Sequence, residues 1–182
     1  MSTLKRLLLL FFVVVACVGC DQTTKIYAER YLPDSRLIRF LGDTVRLQVA
    51  HNDGAFLSLG AKAPKHWRDA VLRVGIAALL ICLALYAVLR SQSHALSTLA
   101  LALMIAGGTS NLIDRYVNDG YVVDFINIGL GPLRTGIFNV ADVALMAGLA
   151  IWMVQGWRRT DKADRLKVQR LPTDAAQRGR KP

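Results

Sequence analysis

The 182-residue sequence has few of the residues that build metal centres and disulfide frameworks, with only three cysteines and three histidines. Cys17 and Cys20 form a Cys-x-x-Cys pair, but the pair lies in an apolar stretch, without a second pair and without a histidine at metal-ligand spacing. The histidines are scattered at His51, His66 and His94. We therefore expect apolar packing for the cysteines, and neither a metal nor another cofactor.

Charge is absent from four long stretches, although charged residues make up 20% of the chain. These uncharged apolar stretches comprise residues 7–20, 74–89, 91–113 and 143–157. A helix needs about 20 residues to cross a hydrocarbon core about 30 Å thick, and polar flanking residues can reach outward. Four crossings account for most of the chain and leave no room for a separate soluble domain. The sequence therefore predicts an integral membrane protein, mainly α-helical, with one catalytic or transport domain over residues 1–157.

The basic residues predict how the chain is oriented in the membrane. The formal net charge is +10, and nine basic residues follow the fourth apolar stretch. Together with Lys5, Arg6 and Arg90, these residues belong on the cytoplasmic side by the positive-inside rule. The loops at 26–69 and 116–136 then lie outside. The longer loop also contains seven basic residues, which opposes this orientation, but long loops cross largely regardless of charge.

The basic segment at residues 158–182 is predicted to be a disordered cytoplasmic tail, because it is polar, charged and follows a membrane span directly. A basic chain can also bind nucleic acid. No aromatic-basic interleaving and no folded binding module accompany this charge. We therefore expect membrane lipids, and not nucleic acid, as the partners of the basic residues.

The N-terminus has two interpretations. A basic start, a short apolar region and Val18-Gly19-Cys20 are similar to the signal and lipobox of a bacterial lipoprotein, which would be cut before Cys20. Three further spans favour a retained helix instead. Such a helix would carry Asp21 about 22 Å from Arg6, inside the hydrocarbon, with Lys25 one turn later on the same face. An acid and a base at this depth are expensive unless they are paired, although a snorkelling helix end is the simpler explanation.

The longer outer loop has structure of its own. Residues 45, 47 and 49 are apolar and alternate with other residues after a possible turn at Gly42-Asp43, which predicts a small hairpin or sheet at the membrane surface. The following His51-Asn52-Asp53-Gly54 has, on its own, the composition of a plain turn. Residues 64–69, with Trp67, are typical of an interfacial lead into the second span.

Two carboxylates are predicted to meet near the outer boundary of the membrane. The third span begins near His94 inside, so Asp114 lies about 30 Å further along, and Asp142 lies only about 7 Å below the outer start of the fourth span. When two carboxylates are close, one holds a proton while the other stays anionic, which suits them to activate water and protonate a leaving nitrogen. A proton or cation path is the alternative. Polar residues along the whole depth would favour such a path, but here they concentrate at one face.

Five motifs in order resemble those of one family, lipoprotein signal peptidase, also called signal peptidase II. The motifs are Asp21-Gln22-Thr23-Thr24-Lys25, Asn52-x-Gly54-Ala55-Phe56, Asn111-Leu112-Ile113-Asp114-Arg115, Val123-Asp124-Phe125 and Phe138-Asn139-x-Ala141-Asp142. The resemblance covers residues 4–157. It departs from the family at Ser110, where glycine more often precedes the asparagine.

The resemblance implies a metal-free aspartic endopeptidase of the bacterial inner membrane. Its substrates would be prolipoproteins that carry diacylglyceryl on the cysteine after the cut, and its fold would be a four-helix bundle with a small external β-cradle and an interfacial helix. It implies Asp114 and Asp142 as the catalytic dyad. The supporting or substrate-binding residues would be Asp21, Lys25, Asn52, Gly54, Asn111, Arg115, Asp124, Asn139 and Ala141. We expect a monomer; an ion or proton translocator and a lipid-anchored structural protein are the alternatives.

The two interpretations of the N-terminus lead to a testable prediction. We expect the mature protein to retain residues 1–20, apart from formyl or methionine trimming, because Asp21 and Lys25 are better explained as parts of a continuous helix. Intact-mass measurement of the purified protein checks this prediction. A species that starts at an acylated Cys20 would contradict it.

Overall fold

The computed structural model describes residues 1–32, 37–54, 64–89 and 94–158. Several sequence-based predictions fall outside this part of the chain. They concern the basic tail beyond residue 158, the charge at Arg90, and Ala55 and Phe56 of the second motif.

The helices form four elements long and apolar enough to cross a membrane. They are α1 (Thr3–Tyr31), a segment made of α2 (Lys65–Asp69), a π-helix (Ala70–Gly75) and α3 (Ile76–Leu89), then α4 (Ala95–Val117) and α5 (Val140–Arg158). The prediction of a four-span, mainly α-helical membrane protein is therefore confirmed. Helix α1 begins after Ser2, whose side chain accepts a hydrogen bond from the Lys5 amide, and continues through Cys20 without a break.

A four-stranded antiparallel sheet packs at one end of the helices. Its strands are β1 (Ile38–Phe40), β2 (Val45–Asn52), β3 (Val122–Leu130) and β4 (Leu133–Arg134), in the order β1-β2-β3-β4. The first two strands and their turn match the predicted hairpin. The pattern did not indicate β3, because most of this strand is buried and its buried residues include polar ones, so polar and apolar residues do not alternate along it.

A small apolar core joins the sheet to the helices. Ala28 and Leu32 at the end of α1 pack with Phe125 of β3. Partly buried apolar residues of β1, β2, β3 and α5 surround this cluster: Ile38, Leu47, Val49, Ile126 and Val140. The core fixes the sheet against the ends of α1 and α5, where the polar motifs also lie.

Helix α4 is the most enclosed of the four spans, and small residues let its neighbours approach it. Half of the residues in its most apolar stretch are buried, whereas 11 to 22% are buried in the corresponding stretches of the other three spans. A Cβ atom on Gly148 of α5 would lie 2.6 Å from the Ala100 carbonyl oxygen of α4, and one on Gly108 of α4 would meet Leu80 of α3. Between membrane helices such small residues permit close backbone packing, because there is little hydrophobic driving force to bring helices together.

We predict that Gly148→Ala lowers the melting temperature of the purified protein. The added methyl group would press on a backbone carbonyl, which cannot move without separating α4 and α5, and overpacking of this kind costs about 1–3 kcal/mol. Gly19→Ala in α1 is the matched control, since nothing lies within 4 Å of the new Cβ atom. The control should be neutral or gain up to about 1 kcal/mol from helix propensity. Equal melting temperatures for the two variants would contradict this packing.

Candidate active site

Every residue predicted for the site lies in one polar cluster between the helices and the sheet. Helix α1 contributes Asp21 and Lys25, strand β2 and the turn after it contribute Asn52 and Gly54, and α4 contributes Asn111, Asp114 and Arg115. Strand β3 and the start of α5 supply the rest, namely Asp124, Asn139, Ala141 and Asp142. Most of these side chains are fully buried, so their hydrogen-bond partners decide what they can do.

Lys25 lies at the centre of the cluster. Its Nζ contacts Asp21 Oδ2 at 2.6 Å and Asp114 Oδ2 at 2.8 Å, and it donates to Asn111 Oδ1 at 3.0 Å. An ammonium group has three donors, and these contacts use all of them. The i,i+4 pair predicted in α1 is therefore a buried ion pair with a second acid from α4, and the snorkelling explanation is wrong, since the Lys25 side chain is only 3% exposed.

The lysine also sets the orientation of the Asn111 amide. Asn111 Oδ1 accepts hydrogen bonds from Lys25 and from Asn139 Nδ2, the latter at 3.1 Å. Because the oxygen faces these two donors, the amide nitrogen must face the other way. It donates to Asp142 Oδ1 at 2.9 Å.

The local sequence at the start of α5 positions Asp142. Asn139 Oδ1 accepts from the Asp142 amide at 2.9 Å, and Asp142 Oδ2 accepts from the Asn139 amide at 3.3 Å. This reciprocal arrangement has the geometry of a capping box, with asparagine at the N-cap and aspartate three residues later. The cap therefore fixes the Asp142 carboxylate at the helix N-terminus, where the dipole favours negative charge.

Asp114 and Asp124 have different surroundings. Asp114 accepts from Gln22 Nε2 at 2.7 Å and from the Val123 amide at 3.1 Å, in addition to its ion pair with Lys25. Asp124 accepts from two neutral amides, Asn52 Nδ2 at 2.9 Å and Asn139 Nδ2 at 2.7 Å. Among the described residues it has no ion pair. Asp114 is thus neutralised by a cation, whereas Asp124 is not.

Burial raises the pKa of Asp124 from 3.8 to about 7. The hydrogen bond from Asn52 opposes this rise, the charge of Asp142 adds to it, and the hydrogen bond from Asn139 and the charge of Lys25 oppose it. Asn139 contacts both carboxyl groups, through Nδ2 to Asp124 and through its backbone amide to Asp142. Asp124 is therefore suited to hold a proton near neutral pH.

The charge of the cluster also favours one bound proton. Four carboxyl groups face only two bases, Lys25 and Arg115. Arg115 donates hydrogen bonds to two backbone oxygens, Asn111 O at 3.1 Å and Gly54 O at 2.7 Å. With every acid ionised the buried cluster would carry two net negative charges, which burial makes costly. The described residues include no group of three or more His, Cys, Asp or Glu arranged to hold a metal ion.

An apolar cavity of about 580 Å³ opens beside the Asp142 carboxylate. Its lining comprises Thr135, Gly136, Phe138, Asp142, Val143, Met146, Ala147 and Ala150. A second apolar cavity of about 370 Å³ reaches Phe125, the neighbour of Asp124, and lies between the end of α1 and the sheet. Apolar space therefore lies next to the Asp142 carboxylate and next to Phe125.

Sequence reasoning assigned no role to two residues of the network, Gln22 and Ser110. The Ser110 hydroxyl donates to Asp21 Oδ2 at 2.7 Å and accepts from Gln22 Nε2 at 3.0 Å. Gln22 then reaches Asp114. At the one position where the motif departs from glycine, the serine hydroxyl therefore fills a fully buried space and adds hydrogen bonds to the acids. The available signal was the polar Gln22 next to Asp21 in the first motif.

The chain is similar to known proteins of one family. The family model described as signal peptidase (SPase) II matches residues 13–158. The lipoprotein signal peptidase of Rhodococcus jostii (strain RHA1) is 32% identical over 157 residues, which are 84% of this chain and 74% of that protein. The lipoprotein signal peptidase of Parasynechococcus marenigrum (strain WH8102) is 32% identical over 139 residues, covering 75% and 81%.

The fold is also similar to that of a solved bacterial membrane enzyme, determined by the in meso method at 2.3 Å resolution. The TM-score is 0.73 at 24% identity, over 84% of this chain and 90% of the other. A family model that spans most of the chain, together with relatives of this identity, favours a peptidase over the two alternatives, an ion or proton translocator and a lipid-anchored structural protein. The chain belongs to the signal peptidase II family, the aspartic peptidases that remove signal peptides from prolipoproteins.

Proposed function

We propose that this protein cleaves diacylglyceryl-modified prolipoproteins on the N-terminal side of the lipidated cysteine, by a two-carboxylate mechanism that activates water. The enzyme would lie in the bacterial inner membrane as a monomer with both termini in the cytoplasm, as the basic residues predict. The apolar cavity beside Asp142 supports a lipid-linked substrate, because it admits acyl or signal-peptide side chains close to the carboxylate.

The contacts favour Asp124 and Asp142 as the reacting pair. The observation that carries this choice is that Asp114 is ion-paired to Lys25 and further bound by Gln22, whereas Asp124 lacks an ion pair in the described structure and shares Asn139 with Asp142. The sequence-based pairing of Asp114 with Asp142 stays a prediction. In the revised assignment Asp114 holds Lys25 and supports the site from outside the reacting centre.

In this mechanism Asp142 accepts a proton from water as the oxygen attacks the scissile carbonyl carbon. Protonated Asp124 donates its proton to the carbonyl oxygen, so that the tetrahedral intermediate is neutral. The intermediate then collapses: its hydroxyl proton returns to Asp124, and the proton on Asp142 passes to the departing amide nitrogen. Both carboxyl groups regain their starting states, and the water is incorporated into the new carboxyl terminus.

The remaining polar residues would keep this pair in place. Lys25 orients Asn111, whose amide nitrogen holds the Asp142 oxygen, and Asn52 holds Asp124. Fixed neighbours of this kind reduce the reorganisation that the reaction would otherwise require. A proton path across the membrane is not favoured, because the cluster occupies only the sheet end of the helices.

We predict that Asp124→Asn and Asp142→Asn each reduce turnover by about 10²-fold to 10⁴-fold or more, because each removes a group that transfers a proton. The double variant should be little worse than either single one, since the pair acts as a unit. Asp124→Asn should keep or raise the melting temperature, because it removes a buried acid without an ion pair. Cleavage of a diacylglyceryl prolipoprotein by the purified variants, with and without the lipid, measures these effects.

Asp114→Asn is the control that separates the two assignments. It removes one of the two buried ion pairs of Lys25, so it should lower the melting temperature, although the pair with Asp21 remains. Near-normal turnover by well-folded Asp124→Asn, combined with loss of turnover in Asp114→Asn, would restore the sequence-based dyad. Near-normal turnover by Asp142→Asn would reject both assignments.

The raised pKa of Asp124 predicts a pH dependence of stability. In the unfolded chain this acid loses its proton near pH 3.8, but in the folded protein it keeps the proton up to about pH 7. Between these values the folded state binds more protons, so its stability falls as pH rises, by at most about 1.4 kcal/mol per pH unit from this group. Melting temperatures of the wild type and Asp124→Asn should therefore diverge from pH 4.5 to pH 7.5, with the wild type losing more. Parallel curves would contradict the raised pKa.

A further inference from the structure

The end of the sheet away from the polar cluster exposes an apolar surface. The β1–β2 and β3–β4 turns lie side by side there, since Gly129 N donates to Thr44 O at 2.9 Å and Val45 pairs with Ile128. The exposed apolar residues of this end, termed here the turn patch, are Phe40, Leu41, Ile128, Leu130 and Leu133. Leu41 and Leu133 are 79% and 82% exposed, so both stand free of the rest of the described protein.

The backbone at the tip is strained, which sets the turn patch apart from an ordinary turn. Leu41, Gly42 and Asp43 all have positive φ values, of 49°, 61° and 71°. A leucine rarely adopts this conformation, and turns in water favour asparagine, aspartate or glycine there. The strained backbone therefore presents a large apolar side chain outward, and strain of this kind is a reason to look for a function.

Three arginines contact Asp43, which lies two residues from Leu41 in the same turn. Arg46 binds Asp43 through Nε at 2.7 Å, Arg39 Nε lies 3.6 Å from the same carboxylate, and Arg134 Nη1 donates to the Asp43 carbonyl oxygen at 2.8 Å. The hydrogen bond from Arg46 lowers the pKa of Asp43 to about 2, so this acid stays ionised. The group carries a net charge of +2, and the Arg39 side chain is 62% exposed.

We propose that the turn patch docks onto the outer leaflet of the membrane, where its leucines enter the interface and its arginines bind the phosphate groups of anionic phospholipids. Apolar tips backed by cations match the depth profile of a leaflet, with acyl chains below and phosphates above. The spans keep the sheet within reach of the membrane, since β4 ends at Arg134 and α5 begins at Val140, no more than about 22 Å of chain.

Docking at the turn patch would also bear on the far end of the same strands. Strand β2 runs from Val45 at the turn to Asn52 at the polar cluster, about 23 Å away, and β3 returns from Asp124. A lipid-bound turn would therefore hold Asn52 and Asp124 at a fixed height relative to the membrane. The docking does not depend on which carboxyl groups react. Fluorescence quenching and lipid affinity therefore test it independently of cleavage.

Insertion is tested with Leu41→Trp in full-length protein whose Trp67, Trp152 and Trp157 are replaced by phenylalanine. The protein is placed in nanodiscs of phosphatidylcholine, with or without phosphatidylglycerol, that contain lipids brominated along the acyl chain. We expect strong quenching of the single tryptophan, and the same for Leu133→Trp. Emission typical of water without quenching would overturn the proposal, as would concentration-dependent cross-linking through Leu41→Cys, which would identify a second copy as the occupant.

Headgroup binding is tested separately by native mass spectrometry in detergent. Arg39→Gln should weaken the apparent affinity for phosphatidylglycerol about fivefold and leave that for phosphatidylcholine unchanged. Arg30→Gln is the matched control, because Arg30 is also an exposed arginine near the outer end of α1 but lies outside the turn patch. Equal affinities of the two variants for phosphatidylglycerol, whether reduced or unchanged, would overturn the role of the arginines.

Discussion

The ammonium group of Lys25, buried between Asp21 and Asp114, is the interaction on which the rest of the site depends. A charge at this depth is tolerated only when opposite charges and hydrogen bonds surround it, so α1 and α4 must meet at this point. The same group orients Asn111, and through it the Asp142 carboxylate. One buried cation thus joins the packing of two spans to the geometry of the Asp142 carboxylate.

The excess of acids over bases explains why the cluster suits proton transfer. Lys25 neutralises acids on α1 and α4, but Asp124 on β3 receives only neutral amide donors. An acid that is buried without an ion pair keeps its proton to higher pH. Asp142 differs from Asp124 in its position, at a capped helix start where it accepts from the Asn111 side chain and the Asn139 amide. The two proposed reacting groups therefore have different surroundings, as acid–base catalysis requires.

The sheet and the helices contribute to this arrangement in different ways. The spans pack closely through small residues such as Gly148, which leaves α4 enclosed and able to carry polar groups. The sheet brings Asn52 and Asp124 from two distant parts of the chain onto paired strands. Its opposite end exposes leucines and Arg39 at a strained turn, so one sheet links the polar cluster to the surface proposed to bind the membrane.

The composition and spacing of the sequence determined the four spans and the first hairpin, because long uncharged stretches must be buried in lipid. The members of the polar cluster were implied by the resemblance of the five motifs to one family. The partner of each acid was decided only by the tertiary structure. The sequence predicted that Asp114 and Asp142 lie at one depth in the membrane. In the structure, strand β3 places Asp124 next to Asn139, and Asp114 forms an ion pair with Lys25. The spans were predictable because they depend only on local composition. The pairing of the acids was not predictable, because it depends on how the loops between the spans fold, and the spacing of residues along the chain does not determine this.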